Sequence, residues 1–240
     1  MDRSHPLAHQ YADPSNPVEI DEGVIKYRCD WEKVPAVSSD EIVELTRYRN
    51  ALHQLNLISQ YPNGIGFGNI SQKACSDKFS QVPPFIISGT QTAHLSTLTA
   101  DDYARVTAFN PAQNQLTCKG ICKASSESLT HGVIYAQNSS INAVIHVHHH
   151  GLWQQLLYKI PTTSAAVPYG TPEMAVETQH LFQATNLLDS QIFAMAGHEE
   201  GLVAFGETLS AAYQTLIGFA VDAQIVPADV IWLPMEIAAY

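Results

Sequence analysis

The chain has 240 residues, with 12 Lys+Arg against 23 Asp+Glu and a formal net charge of −11, an excess of acid that argues against nucleic acid or an anionic membrane as its main partner. With 45% hydrophobic and 15% charged residues it can fill one sizeable core, which excludes wholesale disorder; the low charged fraction points to surface buried between copies, a homo-oligomer. No stretch approaches the roughly 18–20 apolar residues of a membrane span, and the opening MDRSHPLAHQYADPSNP lacks the apolar centre of a signal peptide, so a soluble cytoplasmic protein is expected.

Residues 1–37 carry Pro6, Pro14, Pro17 and Pro35 and little periodicity, so they read as an extended N-terminal arm, with a short strand around Val24–Cys29, ahead of one domain over 38–240. Ser38 and Glu41 have capping-box spacing. Ile42, Leu45, Tyr48, Leu52 and Leu55 then recur every three or four residues, which predicts an amphipathic helix to about Gln60, stopped by Pro62, Asn63 and Gly64. The glycine-rich NGIGFGNIS, the apolar PFIISGT, the acidic turn TADDYA and the strand-like RVTAFN follow, and Gln115–Cys118 reads as the return strand of a hairpin. Ser125 or Ser126 can cap a helix ending near Asn138. Ile141–His148 is a β-branched strand, 173–188 is helical by period, Gln191–Ala196 and Gly201–Phe205 are strands, and Leu209–Ala223 is a final helix. This interleaving, with several hairpin-length connections, predicts a single α/β domain around a mixed or largely antiparallel sheet.

Four cysteines (Cys29, Cys75, Cys118 and Cys122) are too few for a disulfide scaffold and form no CxxC pair, so free thiols are expected. Histidine carries the stronger signal. Alternation along Asn142–His148 sends His146 and His148 to one face with Val144, and Ile145 and Val147 to the other. Two imidazoles one strand repeat apart can grip one cation, because an otherwise apolar strand does not bury two such rings without a partner. A catalytic site needs a third donor. His198, placed after QIFAMA and Gly197 where a strand ends, is one candidate; His131 is the rival, although four residues after Glu127 it can instead hold that carboxylate. Glu127, in the first turn of the helix introduced by Ser125 and Ser126, would lie where free amides also favour an anion. The run Gly64, Gly66, Gly68 follows a helix and is neither a dinucleotide fingerprint nor a P-loop; with Asn69 and Ser71, and with Ser88-Gly89-Thr90 as a second small-residue turn, it suits close backbone approach to an anion.

Taken in order over about positions 40–220, these segments resemble the class II aldolase/adducin family, which includes fuculose-phosphate aldolase and ribulose-phosphate 4-epimerase. The shared pieces are Gly68-Asn69-Ile70-Ser71, Ile87-Ser88-Gly89, Ser125-Ser126-Glu127 with His131 and Tyr135, Ala143–His148, Gly197-His198 and Phe205-Gly206. The resemblance implies a three-layer α/β/α fold with a mixed, mainly antiparallel sheet, and a four-fold symmetric homotetramer with sites at subunit interfaces. It implies zinc or another divalent metal on His146, His148 and His198, Glu127 as acid/base, and phosphate or substrate binding by Asn69, Ser88, Gly89, Ser125 and Ser126. The chemistry would be retro-aldol cleavage of a small sugar or hydroxy-carbonyl compound, phosphorylated or not, through a metal-stabilised enediolate, with Glu127 needing a pKa nearer neutrality than a free carboxylate. Epimerase or dehydratase chemistry on the same scaffold, and a non-catalytic adducin-like module, are the alternatives. Departures from the family pattern are Ala124 where Pro is usual, Gly197 where Asn is usual, Glu199-Glu200 where Gly is common, and His149-His150. Tyr169 is the candidate for the tyrosine that a neighbouring subunit contributes in the aldolases. Only Lys73 and Lys123 lie near the phosphate loops, which leaves a non-phosphorylated substrate open.

Overall fold

A computed structural model describes residues 24–74, 83–232 and 234. The first part of the expected N-terminal arm, Cys75 and most of the C-terminal tail lie outside the described residues. In chain order the elements are β1 (Arg28–Glu32), α1 (Ser39–Gln54), β2 (Ser59–Gln60), β3 (Gly66–Phe67), β4 (Asn69–Lys73), β5 (Phe85–Ser88), β6 (Tyr103–Asn110), β7 (Gln115–Lys119), α2 (Ser128–Gln137), β8 (Ala143–His148), α3 (His150–Leu156), α4 (Pro172–Ala184), α5 (Leu187–Ser190), β9 (Ile192–Ala194), β10 (Gly201–Gly206) and α6 (Leu209–Asp222). Eight strands form one sheet in the order β1-β7-β6-β5-β4-β8-β10-β9, and β2 and β3 form a separate hairpin. Every pairing in the large sheet is antiparallel except β1 with β7. The fold is therefore the expected α/β architecture with a mixed, mainly antiparallel sheet.

Helices cover both faces because the central strands are apolar on both sides. On one face Ile145 and Val147 of β8 pack with Leu45 and Leu52 of α1 and Leu216 and Ile217 of α6. On the other, Val144 joins Leu129 and Ile134 of α2 and Leu181 of α4. Each fully buried Leu or Ile in these layers contributes roughly 2 kcal/mol from removal of its side chain from water.

Several boundaries differ from the sequence expectation for local reasons. The first helix stops at Gln54 rather than near Gln60, because Asn56 takes a left-handed φ of 55° and the Leu57 N–H returns to the Leu52 carbonyl. The helix expected over 173–188 breaks in two, since Thr185 is extended and its hydroxyl donates to the Leu181 carbonyl at 2.6 Å. A helix unforeseen in the sequence, α3, starts where His149 Nδ1 accepts the Leu152 N–H. The strand expected around Val24–Cys29 runs over Arg28–Glu32 and is an edge of the main sheet, where Cys29 and Cys118 bring their sulfurs to 3.6 Å as free thiols. Among the described residues no helix is long and apolar enough to cross a membrane.

Candidate metal centre and substrate pocket

The alternation of β8 places His146 and His148 on the α2 side of the sheet, both essentially inaccessible to solvent. The third ring arrives from the turn between β9 and β10, where the His198 N–H bonds the Met195 carbonyl and the Gly201 N–H bonds the His198 carbonyl. The three potential ligand nitrogens lie within 4.8 Å of one another. His131, the rival, is elsewhere. Its Nδ1 meets the Ser71 hydroxyl at 2.7 Å, and that hydroxyl also meets the Tyr135 OH at 2.7 Å. Glu127 is held instead by Thr130, whose hydroxyl donates to Oε2 at 3.0 Å.

Hydrogen bonds behind the rings fix their tautomers. His146 Nδ1 lies 3.1 Å from the Leu202 carbonyl, which can only accept, so Nδ1 carries the hydrogen and Nε2 a lone pair. The Tyr61 hydroxyl donates to Glu200 Oε2 at 2.9 Å, so at 2.9 Å from His148 Nδ1 its oxygen accepts, and His148 Nε2 is likewise a lone pair. These two nitrogens face each other at 3.0 Å. Two lone pairs at that separation repel unless a cation lies between them, and nitrogens sharing a tetrahedral zinc sit about 3.3 Å apart. Burial first, and the neighbouring His198 second, hold the pKa of both rings well below the ordinary histidine value, which keeps them in the neutral form that binds metals. The donor set thus fits a divalent metal ion.

Glu127 is buried as the N-cap of α2, with Oε1 3.9 Å from His198 Nδ1. The helix begins at Ser128, later than expected, so Ser125 and Ser126 precede it and shape the corner: the Ser125 carbonyl accepts from the Ser128 hydroxyl and amide, and the Ser125 hydroxyl from the Glu127 N–H. Asn69, opening β4, pairs in register with His146, and its Oδ1 is buried without a hydrogen-bond partner among the described residues. Asn69, Gly89, Ser125 and Ser126 converge with Gly66, Gly68 and Gln91 around a small pocket of about 20 Å³. Ser88 does not line it; its hydroxyl accepts the Ile70 N–H at 3.2 Å. Gly89 is required there, because a Cβ would overlap the Cys122 sulfur. Neither lysine enters: Lys73 donates to the Ser139 carbonyl, and Lys123 lies over the Trp31 ring. A larger cavity of about 230 Å³, between α1 and the 97–100 turn, contains none of these groups.

Tyr169 stacks on His198 of its own chain at 4.3 Å, with the Lys26 ammonium 3.8 Å from the tyrosine ring. These contacts fix the Tyr169 ring beside the three histidines of its own chain. Gly197 also has a local reason, since a Cβ there would overlap the Val167 carbonyl. Of the two acids after His198, Glu199 points to solvent while Glu200 reaches Tyr61. Tyr61 is a site residue that no sequence motif marks, and so is Arg49, a buried guanidinium that donates to the Thr92 and Ala93 carbonyls and so fixes the loop beside the pocket. The stop signal Pro62-Asn63-Gly64 beside Tyr61 marks a hairpin loop; nothing local indicates its distant partners.

Residues 59–226 match the family model described as the class II aldolase and adducin N-terminal domain. Among solved structures, a sugar-phosphate aldolase from Thermotoga maritima aligns with a TM-score of 0.58 at 18% identity, covering 78% of this chain and 93% of the other. L-fuculose 1-phosphate aldolase aligns at 0.57 and 19% identity, covering 84% and 97%. YgbL from Escherichia coli, a candidate aldolase/epimerase/decarboxylase, aligns at 0.56 and 19%, covering 80% and 96%. At these identities the likeness is one of fold. A sequence search of curated proteins finds no match.

Proposed function

This chain belongs to the class II aldolase and adducin family, and from that premise we propose that it is a divalent-metal-dependent lyase, cleaving a carbon–carbon bond in a small hydroxylated carbonyl compound. The observation that carries this reading is the pair of Nε2 atoms facing each other at 3.0 Å, with His198 and the buried Glu127 beside them. His146, His148 and His198 would hold the ion, and three imidazole donors suit zinc among the divalent metals. When bound, such an ion polarises a carbonyl and stabilises the negative charge that bond cleavage leaves on the substrate.

The protein groups supply the rest. Thr130 fixes one oxygen of Glu127, which turns Oε1 toward the histidines, where it would give and take the proton of the cleavage step. Asn69, Gly89, Ser125 and Ser126 would bind the far end of the substrate through neutral donors. That makes a phosphate admissible but not obligatory, since no lysine among the described residues lines the pocket. Re-addition to the same charged intermediate would give an epimerase, a reading favoured only by the name of YgbL. A non-catalytic assembly module has no use for three desolvated imidazoles and a buried carboxylate, which are costly to fold around. We extend the reading to a homo-oligomer, a tetramer as the resemblance implies, which light scattering would measure.

The deciding experiment is metal quantification on purified protein, followed by a screen of sugar phosphates and hydroxy acids for retro-aldol products. Glu127→Gln, with an intact fold, should lower turnover at least about a hundredfold. Full activity in that variant, or protein that retains no metal, would remove the proposal.

A further inference from the structure

The turn that delivers His198 ends on a residue in an uncomfortable conformation. Glu200 has a φ of 68°, in the left-handed region where the Cβ of any residue but glycine crowds its own carbonyl. Its backbone is fixed in that state: the Glu200 carbonyl accepts the His149 N–H at 3.1 Å, and the next residue, Gly201, pairs in register with His148. A glycine at position 200 would relieve the crowding, yet the position carries a glutamate. Its side chain turns inward to the β2–β3 hairpin, where Oε2 accepts the Tyr61 hydroxyl hydrogen at 2.9 Å. Tyr61 in turn faces His148 Nδ1 at 2.9 Å, and Phe67 of the same hairpin stacks on the His148 ring at 5.5 Å.

A phenol has a single hydrogen. With that hydrogen committed to Glu200, the Tyr61 oxygen is left to accept from His148 Nδ1, which fixes the tautomer with the lone pair on Nε2 and increases the electron density of the ring. We propose that Glu200, acting through Tyr61, is a positioning residue for the metal centre, orienting His148 and strengthening its grip on the cation. Backbone strain at Glu200 is retained for that contact. The inference rests on the reading of His146, His148 and His198 as ligands and goes beyond it by assigning two residues outside that set. A second contact of Glu200, His150 Nδ1 at 3.5 Å, is half-exposed and on the solvent side, where a pair has little effect.

The test uses the full chain and Zn²⁺ alone, with affinity read by competition against a chromogenic chelator and stability read by thermal melting in excess chelator. Glu200→Gly should raise the metal-free melting temperature, because the strain is gone, while weakening Zn²⁺ binding about tenfold or more. Tyr61→Phe should weaken binding by a similar factor. The double variant should bind no worse than Tyr61→Phe, since the two residues act in series. His150→Gln should leave the affinity at the wild-type value. A role confined to holding the turn would instead lower the melting temperature of Glu200→Gly and leave Zn²⁺ affinity unchanged, which would overturn the proposal. Wild-type protein that binds no Zn²⁺ would remove both this inference and the reading it rests on; tight wild-type binding with unchanged affinity in both single variants would remove this inference alone.

Discussion

Tyr27 donates its hydroxyl hydrogen to the Ala124 carbonyl at 2.9 Å, across 97 positions of the chain, and the Ser125 carbonyl lies 3.0 Å from the same oxygen. Through this contact the segment leading into β1 braces the corner that carries Ser125, Ser126 and Glu127. Burial holds the phenol far above its ordinary pKa, so it stays a donor throughout the accessible pH range. Tyr27→Phe removes the donor and leaves two buried carbonyls without it. The expected loss is about 1–3 kcal/mol, measured as a lower urea midpoint with an unchanged m-value, with a fall in turnover as the Glu127 corner loosens.

Gly201 packs against two of the proposed ligands. A Cβ there would stand 2.9 Å from the His198 carbonyl oxygen and 3.3 Å from both His146 Cε1 and His198 Cγ. In the wild-type protein Zn²⁺ should raise the melting temperature in a concentration-dependent way, by about 4 kcal/mol of stability at a thousand times its Kd. Gly201→Ala, which forces the rings apart, should flatten that response while the chelated protein still melts cooperatively.

His131 sets a pH dependence whose sign is fixed by burial. Its pKa is pushed down to about 3 by desolvation, against about 6.5 for an unfolded histidine. The unfolded chain therefore takes up a proton first as pH falls, and stability present above about pH 6.5 is lost progressively down to about pH 3. Between pH 7.5 and pH 5 this one group should cost about 2 kcal/mol, and His146 and His148 act in the same direction in metal-free protein. Urea titrations at the two pH values should show a shallower loss in His131→Gln than in the wild type; equal slopes would contradict the assignment.

The pocket gives a prediction that separates neutral from cationic recognition. Asn69→Ala should raise KM for any accepted phosphorylated substrate about tenfold, through loss of a buried amide. Lys73→Ala and Lys123→Ala should leave KM unchanged, because neither side chain lines the pocket.

What the sequence disclosed and what it withheld follow from the range of each interaction. The sidedness of His146 and His148 is a property of strand alternation and is visible in six consecutive residues. Glu127 is legible as an acid at a helix start, but it is itself the N-cap of α2, the place the sequence pattern assigns to Ser125 or Ser126. The Tyr61 contacts to His148 and Glu200 span 87 and 139 positions, and no local pattern encodes such a meeting. Helix α3 was hidden because histidine, rather than a serine or aspartate, supplies its first side-chain acceptor. The parallel edge pairing of β1 with β7 needs a return over some eighty residues, and a proline-rich stretch hides it.

Strand β8 lies inside the sheet, between β4 and β10, with imidazoles toward α2 and aliphatic chains toward α1 and α6. Deleting or inserting one residue within it would exchange those two sets, driving Ile145 and Val147 into a polar corner and the imidazoles into hydrocarbon. Ancestral divergence along this segment should therefore proceed by replacement alone, with changes in length confined to the connecting loops.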